Sequence, residues 1–162
     1  MTALLGQPRR LLALIAISCI ALLAFGLYLQ HAIGLEPCPM CIVQRYLFIL
    51  AALAAGIGAA LPVAATRWAA GLMALLSFTG AGVAARQSWL QWFPPEIATC
   101  GRDLFGMIES FPLKRVIPMV FRGSGDCSAV DWTFLGLSIA NWSFLNFVLV
   151  GVIGLALLLR RL

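Results

Sequence analysis

Charge is scarce in this chain: 10% of its 162 residues are charged, only six of them are acidic, and histidine occurs once. With 62% hydrophobic residues and a mean hydropathy of +1.00, a soluble domain of this size could not hide its apolar surface from water. The single histidine also narrows the metal chemistry. A c-type haem attachment motif needs histidine directly after CxxC, and Ile42 stands there. No small-x-small cleavage site follows the first apolar run, which therefore reads as a retained helix and not a removed secretory signal. Ala16, Ile17 and Ser18 form a weak lipid-attachment context for Cys19, which reads instead as a buried, inert thiol.

What is present is membrane-spanning sequence. Four apolar runs, 11–29, 42–61, 68–90 and 142–159, each approach the roughly 20 residues that cross about 30 Å of hydrocarbon as a helix. The expected fold is an all-α membrane protein, a four-transmembrane-helix bundle forming a single integral membrane domain over 1–162. A short first outer loop spans about 30–41 and a long second one about 91–141. Arg9, Arg10, Arg67, Arg160 and Arg161 precede helix one, join helices two and three, and follow helix four. Lys and Arg in short loops are retained on the cytoplasmic side, which puts both termini inside. All six acidic residues lie in the two outer loops. The net charge of +5 is thus a topology signal, and no nucleic-acid partner is expected. Trp68, Trp89, Trp92 and Trp142 mark helix ends, where amphipathic rings prefer the headgroup level. In helix two the small-residue row Ala52, Gly56 and Ala60 is a candidate surface for close helix contact.

This topology sorts the five cysteines. Cys19 lies within the membrane, while Cys38, Cys41, Cys100 and Cys127 fall in the outer loops. In an oxidising space such as a bacterial periplasm, proximity favours Cys38 with Cys41 and Cys100 with Cys127. A structural staple is a sufficient account of the second pair. It is a poor one for the first, because closing so short a loop removes little unfolded-chain entropy. Zinc is the alternative for CxxC, with His31 as a further ligand; an interfacial loop position accounts for that histidine more simply.

In LEPCPMCIVQRYLF, residues 35 to 48, the pair sits at the start of helix two, since Pro39 is tolerated in a first helical turn. The unpaired N–H groups and helix dipole there stabilise a thiolate at Cys41. Arg45, one turn later, shares its face. It serves either as a cation beside that sulfur or as a side chain reaching headgroups. A disulfide in contact with lipid can pass electrons to a lipid-soluble carrier, and the common two-electron one is a quinone.

The chain resembles the disulfide bond formation protein B family, DsbB, of bacterial inner membranes. The likeness runs through YLQHAIGLEPCPMCIVQR, ATC around Cys100, VIPMVFRGSGDC before Cys127, and WTFLGLSIANW. It implies a quinone-dependent protein-disulfide oxidoreductase that reoxidises DsbA, a soluble thioredoxin-fold oxidant, in the lipid bilayer of the inner membrane. By this resemblance reduced DsbA attacks Cys100 and releases Cys127, Cys127 attacks Cys38, and Cys41 leaves as a thiolate beside ubiquinone or menaquinone. Arg45 and Cys41 then form the cofactor site, with Cys38, Cys41, Cys100 and Cys127 catalytic and no metal.

The second outer loop is too short and too punctuated by glycine and proline to bury a core. FPLKRVIPMVF, residues 111 to 121, reads as an interfacial amphipathic segment. Gly101, Gly106, Gly123 and Gly125 would let the loop carry Cys127 toward Cys38. Well-known family members carry a histidine near the outer end of helix three, where this chain has Arg86 and Gln87. A vitamin K epoxide reductase-like enzyme and a disulfide-stapled scaffold are the rival readings; the position of CPMC and the long loop after helix three fit DsbB better.

Overall fold

The computed structural model describes residues 7–35, 37–94 and 127–159. Four helices account for most of them: α1 Pro8–Ala32, α2 Pro39–Ala60, α3 Val63–Trp92 and α4 Ile139–Leu159. All four are long and apolar enough to cross a membrane, so this is an all-α, multi-pass membrane protein. Helix is the form a spanning segment must take, because lipid offers no partner to an unpaired backbone group. Each helix begins a few residues before its apolar run, and α3 also ends after its own, from Val63 to Trp92.

Proline opens two of the helices. Pro8 and Pro39 occupy first-turn positions in α1 and α2, where a missing N–H costs no bond. Gly34, at φ 77°, turns the chain after α1 and lets Leu35 N–H donate back to the Leu29 carbonyl at 3.4 Å. At the opposite end of the bundle, α2 and α3 are joined by a tight turn. There Thr66 Oγ1 donates to the Gly58 carbonyl (3.1 Å), and Arg9 Nε donates to the Ala59 carbonyl at the end of α2 (2.8 Å). A cation at a helix C-terminus satisfies carbonyls that have no helical partner.

In packing, α3 is central, lying against both α2 and α4, while α1 lies against α2. Small residues set the spacing. A Cβ on Gly80 would come within 2.5 Å of the Phe147 ring, and one on Gly154 within 2.8 Å of the Ala70 carbonyl. Phe147, fully buried, stacks on Phe48 with ring centroids 3.8 Å apart. The expected contact row on α2 is corrected here. Gly56 and Ala60 are exposed, and a Cβ on Gly56 would meet nothing within 4 Å. Ala52 is buried as expected, but the small residues packed with it are Ala51, Ala54, Ala55 and Gly58, so the contact face lies to one side of the expected row. Cys19 is fully buried in the core with Leu12, Ile15 and Ala16, as expected of an inert thiol.

A short hairpin precedes α4. Thr133 pairs with Ser138 and Phe134 with Leu137, leaving a two-residue loop of Leu135 and Gly136, both at positive φ. Such a loop matches the twist of an antiparallel pair. Trp142 Nε1 donates to the Phe134 carbonyl at 3.1 Å and fixes the hairpin to α4. Ser138 Oγ accepts from Asn141 N–H at 3.4 Å, capping that helix. The amphipathic segment 111–121 and the glycines at 101, 106, 123 and 125 lie outside the described residues.

Candidate redox site

The site begins with a helix cap. Cys38 is the N-cap residue of α2, and its sulfur accepts from the Cys41 backbone N–H at 3.3 Å. That local bond folds the CPMC segment back on itself and brings the two sulfurs to 2.7 Å. The pair is within a small adjustment of the roughly 2.05 Å of a disulfide bond. Cys41 therefore sits in the first turn of α2, where free N–H groups concentrate positive potential.

A third sulfur meets this pair. Cys127, fully buried, is hydrogen-bonded to Cys38 and packs with it against Met40, Val83 and Leu90. The bond to Cys127, the bond to Cys41 and burial together hold the Cys38 thiol well above its ordinary pKa. Gln87 on α3 completes the cluster. Its Nε2 donates to Cys38 Sγ at 3.3 Å and to Cys41 Sγ at 3.2 Å, while its Oε1 accepts from Gln44 Nε2 at 2.6 Å.

Beside the sulfurs lies a cavity of about 560 Å³, walled by α1, α2, α3, α4 and the chain between Cys127 and Ser138. Its lining is largely apolar, with Leu22, Phe25, Phe48 and Trp132, and Cys41 and Arg45 both reach it. Arg45 Nη1 donates to Gln30 Oε1 at 2.6 Å and Nη2 to the Gly26 carbonyl at 3.4 Å. Its guanidinium is thus tied to α1 at the cavity wall. Phe25 packs edge-on to Trp132 with centroids 5.9 Å apart, joining α1 to the segment that carries Cys127. Gln91 secures the same segment, accepting from Ser138 Oγ at 2.6 Å and donating to the Ala129 carbonyl at 3.4 Å.

Residues 8–157 match the family model described as Disulfide bond formation protein DsbB. A Disulfide bond formation protein B from Polaromonas sp. (strain JS666 / ATCC BAA-500) is 65% identical, covering 96% of this chain and 93% of the relative. Those from Paracidovorax citrulli (strain AAC00-1) and Azoarcus sp. (strain BH72) are 64% and 54% identical. They cover 96% and 99% of this chain, and 89% and 98% of the relatives. The chain belongs to the DsbB family. It is a membrane disulfide oxidoreductase that serves disulfide bond formation.

Within this DsbB fold the four residues expected at the site and described here, Cys38, Cys41, Arg45 and Cys127, all border one cluster or its cavity. Cys100 lies outside the described residues. His31, the alternative zinc ligand, is exposed in the last turn of α1. Of the two residues standing where well-known DsbB proteins carry histidine, Arg86 is exposed and Gln87 is at the sulfurs. Sequence reasoning noted Gln87 without assigning it, and it passed over Gln30 and the aromatic wall. The available signal was polar side chains on apolar spanning helices, which face the bundle interior by default.

Proposed function

We propose that this protein reoxidises a DsbA-like thioredoxin-fold oxidant and passes the electrons through its two cysteine pairs to a membrane quinone, ubiquinone or menaquinone. The observation that carries this reading is the position of Cys38. Its sulfur touches Cys127 on one hand and Cys41 on the other, and Cys41 borders a cavity large enough for a small cofactor. In the proposed sequence a partner thiolate bonds to Cys100 and releases Cys127 as a thiolate. Cys127 then bonds to Cys38, and Cys41 leaves with the electron pair of the broken Cys38–Cys41 disulfide. The α2 N-terminus stabilises that thiolate.

The residues lining the cavity fit a quinone head group: apolar and aromatic walls for the ring, and the Arg45 guanidinium as donor to a carbonyl oxygen. The partner's second thiol then closes the partner's own disulfide and frees Cys100, and Cys100 re-forms its bond to Cys127 and frees Cys38; for the resulting Cys38 and Cys41 thiols a bound quinone would supply the two-electron, two-proton acceptor. So strong an acceptor is needed because DsbA is itself oxidising, at roughly −120 mV. Membership of the DsbB family supports a bacterial inner-membrane location, and the arginine distribution supports both termini cytoplasmic with the redox cysteines periplasmic. This chemistry is assigned to one integral membrane domain over 1–162, whose four spanning helices carry it. Trapping tests the partner: Cys127→Ala should accumulate a disulfide between Cys100 and the oxidant, whereas a stapled scaffold would capture none.

A further inference from the structure

Gln87 is buried on α3 with its amide nitrogen 3.3 Å from Cys38 Sγ and 3.2 Å from Cys41 Sγ. A primary amide carries two N–H donors, enough for one to each sulfur. The other end of the amide is already engaged, since Oε1 accepts from Gln44 Nε2 at 2.6 Å, and Gln44 is buried too. Orientation follows from chemistry. A disulfide or thiolate sulfur has no proton to give, so only the arrangement with nitrogen toward sulfur and oxygen toward Gln44 satisfies all the partners.

Building on the function proposed above, we propose that Gln87 is a catalytic residue of the internal exchange, donating to the Cys41 sulfur as it becomes the leaving thiolate, and that Gln44 positions it. In that step the Cys127 thiolate forms a bond to Cys38 Sγ, the Cys38–Cys41 bond breaks, and its electron pair leaves on Cys41. No proton moves. The N–H bond from Gln87 to Cys41 becomes charge-assisted as the negative charge arrives, and such bonds are about twice as strong as neutral ones. An amide does not titrate, so it neither protonates the departing sulfur nor loses its donor when pH changes. Its reach to both sulfurs keeps it in place whichever one carries the charge.

The test uses the full-length protein in detergent with Cys38→Ala, which leaves Cys41 without its disulfide partner. Iodoacetamide labelling of Cys41 is followed by peptide mass across a pH series. The midpoint of the rate profile reads thiolate stability, and the plateau at high pH reads access. Gln87→Leu should move the midpoint to higher pH, with about tenfold less thiolate at neutral pH. Gln87→Glu, nearly isosteric but without the donor, should move it further. Gln44→Leu should shift it in the same direction by less. A purely structural role would change the plateau and leave the midpoint alone. Unmoved midpoints in Gln87→Leu and Gln87→Glu proteins of native helix content would overturn the assignment. Neither the partner nor quinone enters this measurement. A wild-type protein that fails to reduce quinone would remove the proposed function without touching Gln87, and an unmoved midpoint in a quinone-reducing protein would do the reverse.

Discussion

Cys127 is hydrogen-bonded to Cys38, so the segment leading into the fourth helix meets the CPMC pair at the sulfur of its first cysteine. The contact specifies which exchange is short-range. In Cys41→Ser the nucleophile and its target remain, but Cys38 has lost its own partner. Peptide mapping under non-reducing conditions should then find Cys38 linked to Cys127 as the main internal disulfide.

Reactivity of Cys38 should follow the same contact. Its thiol pKa is raised first by the bond to Cys127, then by Cys41 and burial, so its thiolate appears only at pH above the ordinary thiol range. In the fully reduced protein Cys38 should therefore alkylate slowly at neutral pH. Cys127→Ala removes the largest cause, and the labelling profile of Cys38 should move toward lower pH.

Arg45 is held at the cavity wall by Gln30 and the Gly26 carbonyl. Arg45→Met removes the cation while keeping most of the apolar stem, and should raise the KM for quinone by about 10-fold or more, the scale of one charge-assisted hydrogen bond. Gln30→Ala should raise it less, since the guanidinium survives without its support. Oxidation state of the Cys38–Cys41 pair in air should be unchanged in both.

Packing supplies a prediction independent of redox chemistry. Gly154→Ala places a methyl 2.8 Å from the Ala70 carbonyl and 2.9 Å from Met73 Cε, and Gly80→Ala collides with Phe147. Each should destabilise the protein by about 1–3 kcal/mol in detergent unfolding. Gly82→Ala, which meets nothing within 4 Å, should stay within about 0.5 kcal/mol of wild type or gain slightly from helix propensity.

The four helices were legible because lipid leaves a spanning apolar run a single backbone solution. The approach of Arg45 and Cys41 to one cavity was legible for a similar reason, since four residues is one helical turn. The face each helix presents was not. Where a helix is apolar all round, hydropathy does not distinguish the lipid side from the packed side. Of the row Ala52, Gly56 and Ala60, only Ala52 packs, beside Ala51, Ala55 and Gly58. Gln87 carried the same ambiguity: its neighbour Arg86 is equally polar, and only the rotation of α3 against α2 decides which of them meets the sulfurs. The hairpin at 133–138 was passed over because its turn puts Leu135, not an asparagine or aspartate, at φ 53°, and Gly136 alone is a weak turn signal.

The central claim is that electrons entering at the cysteines leave through Cys41 to a lipid-soluble acceptor. Quinone absorbance during addition of reduced DsbA-like oxidant to the purified protein tests it most directly, in wild type and in Cys41→Ser. Stoichiometric loss of the oxidised quinone in the wild type alone is the predicted result. Equal loss in both proteins, or none in either, would contradict it.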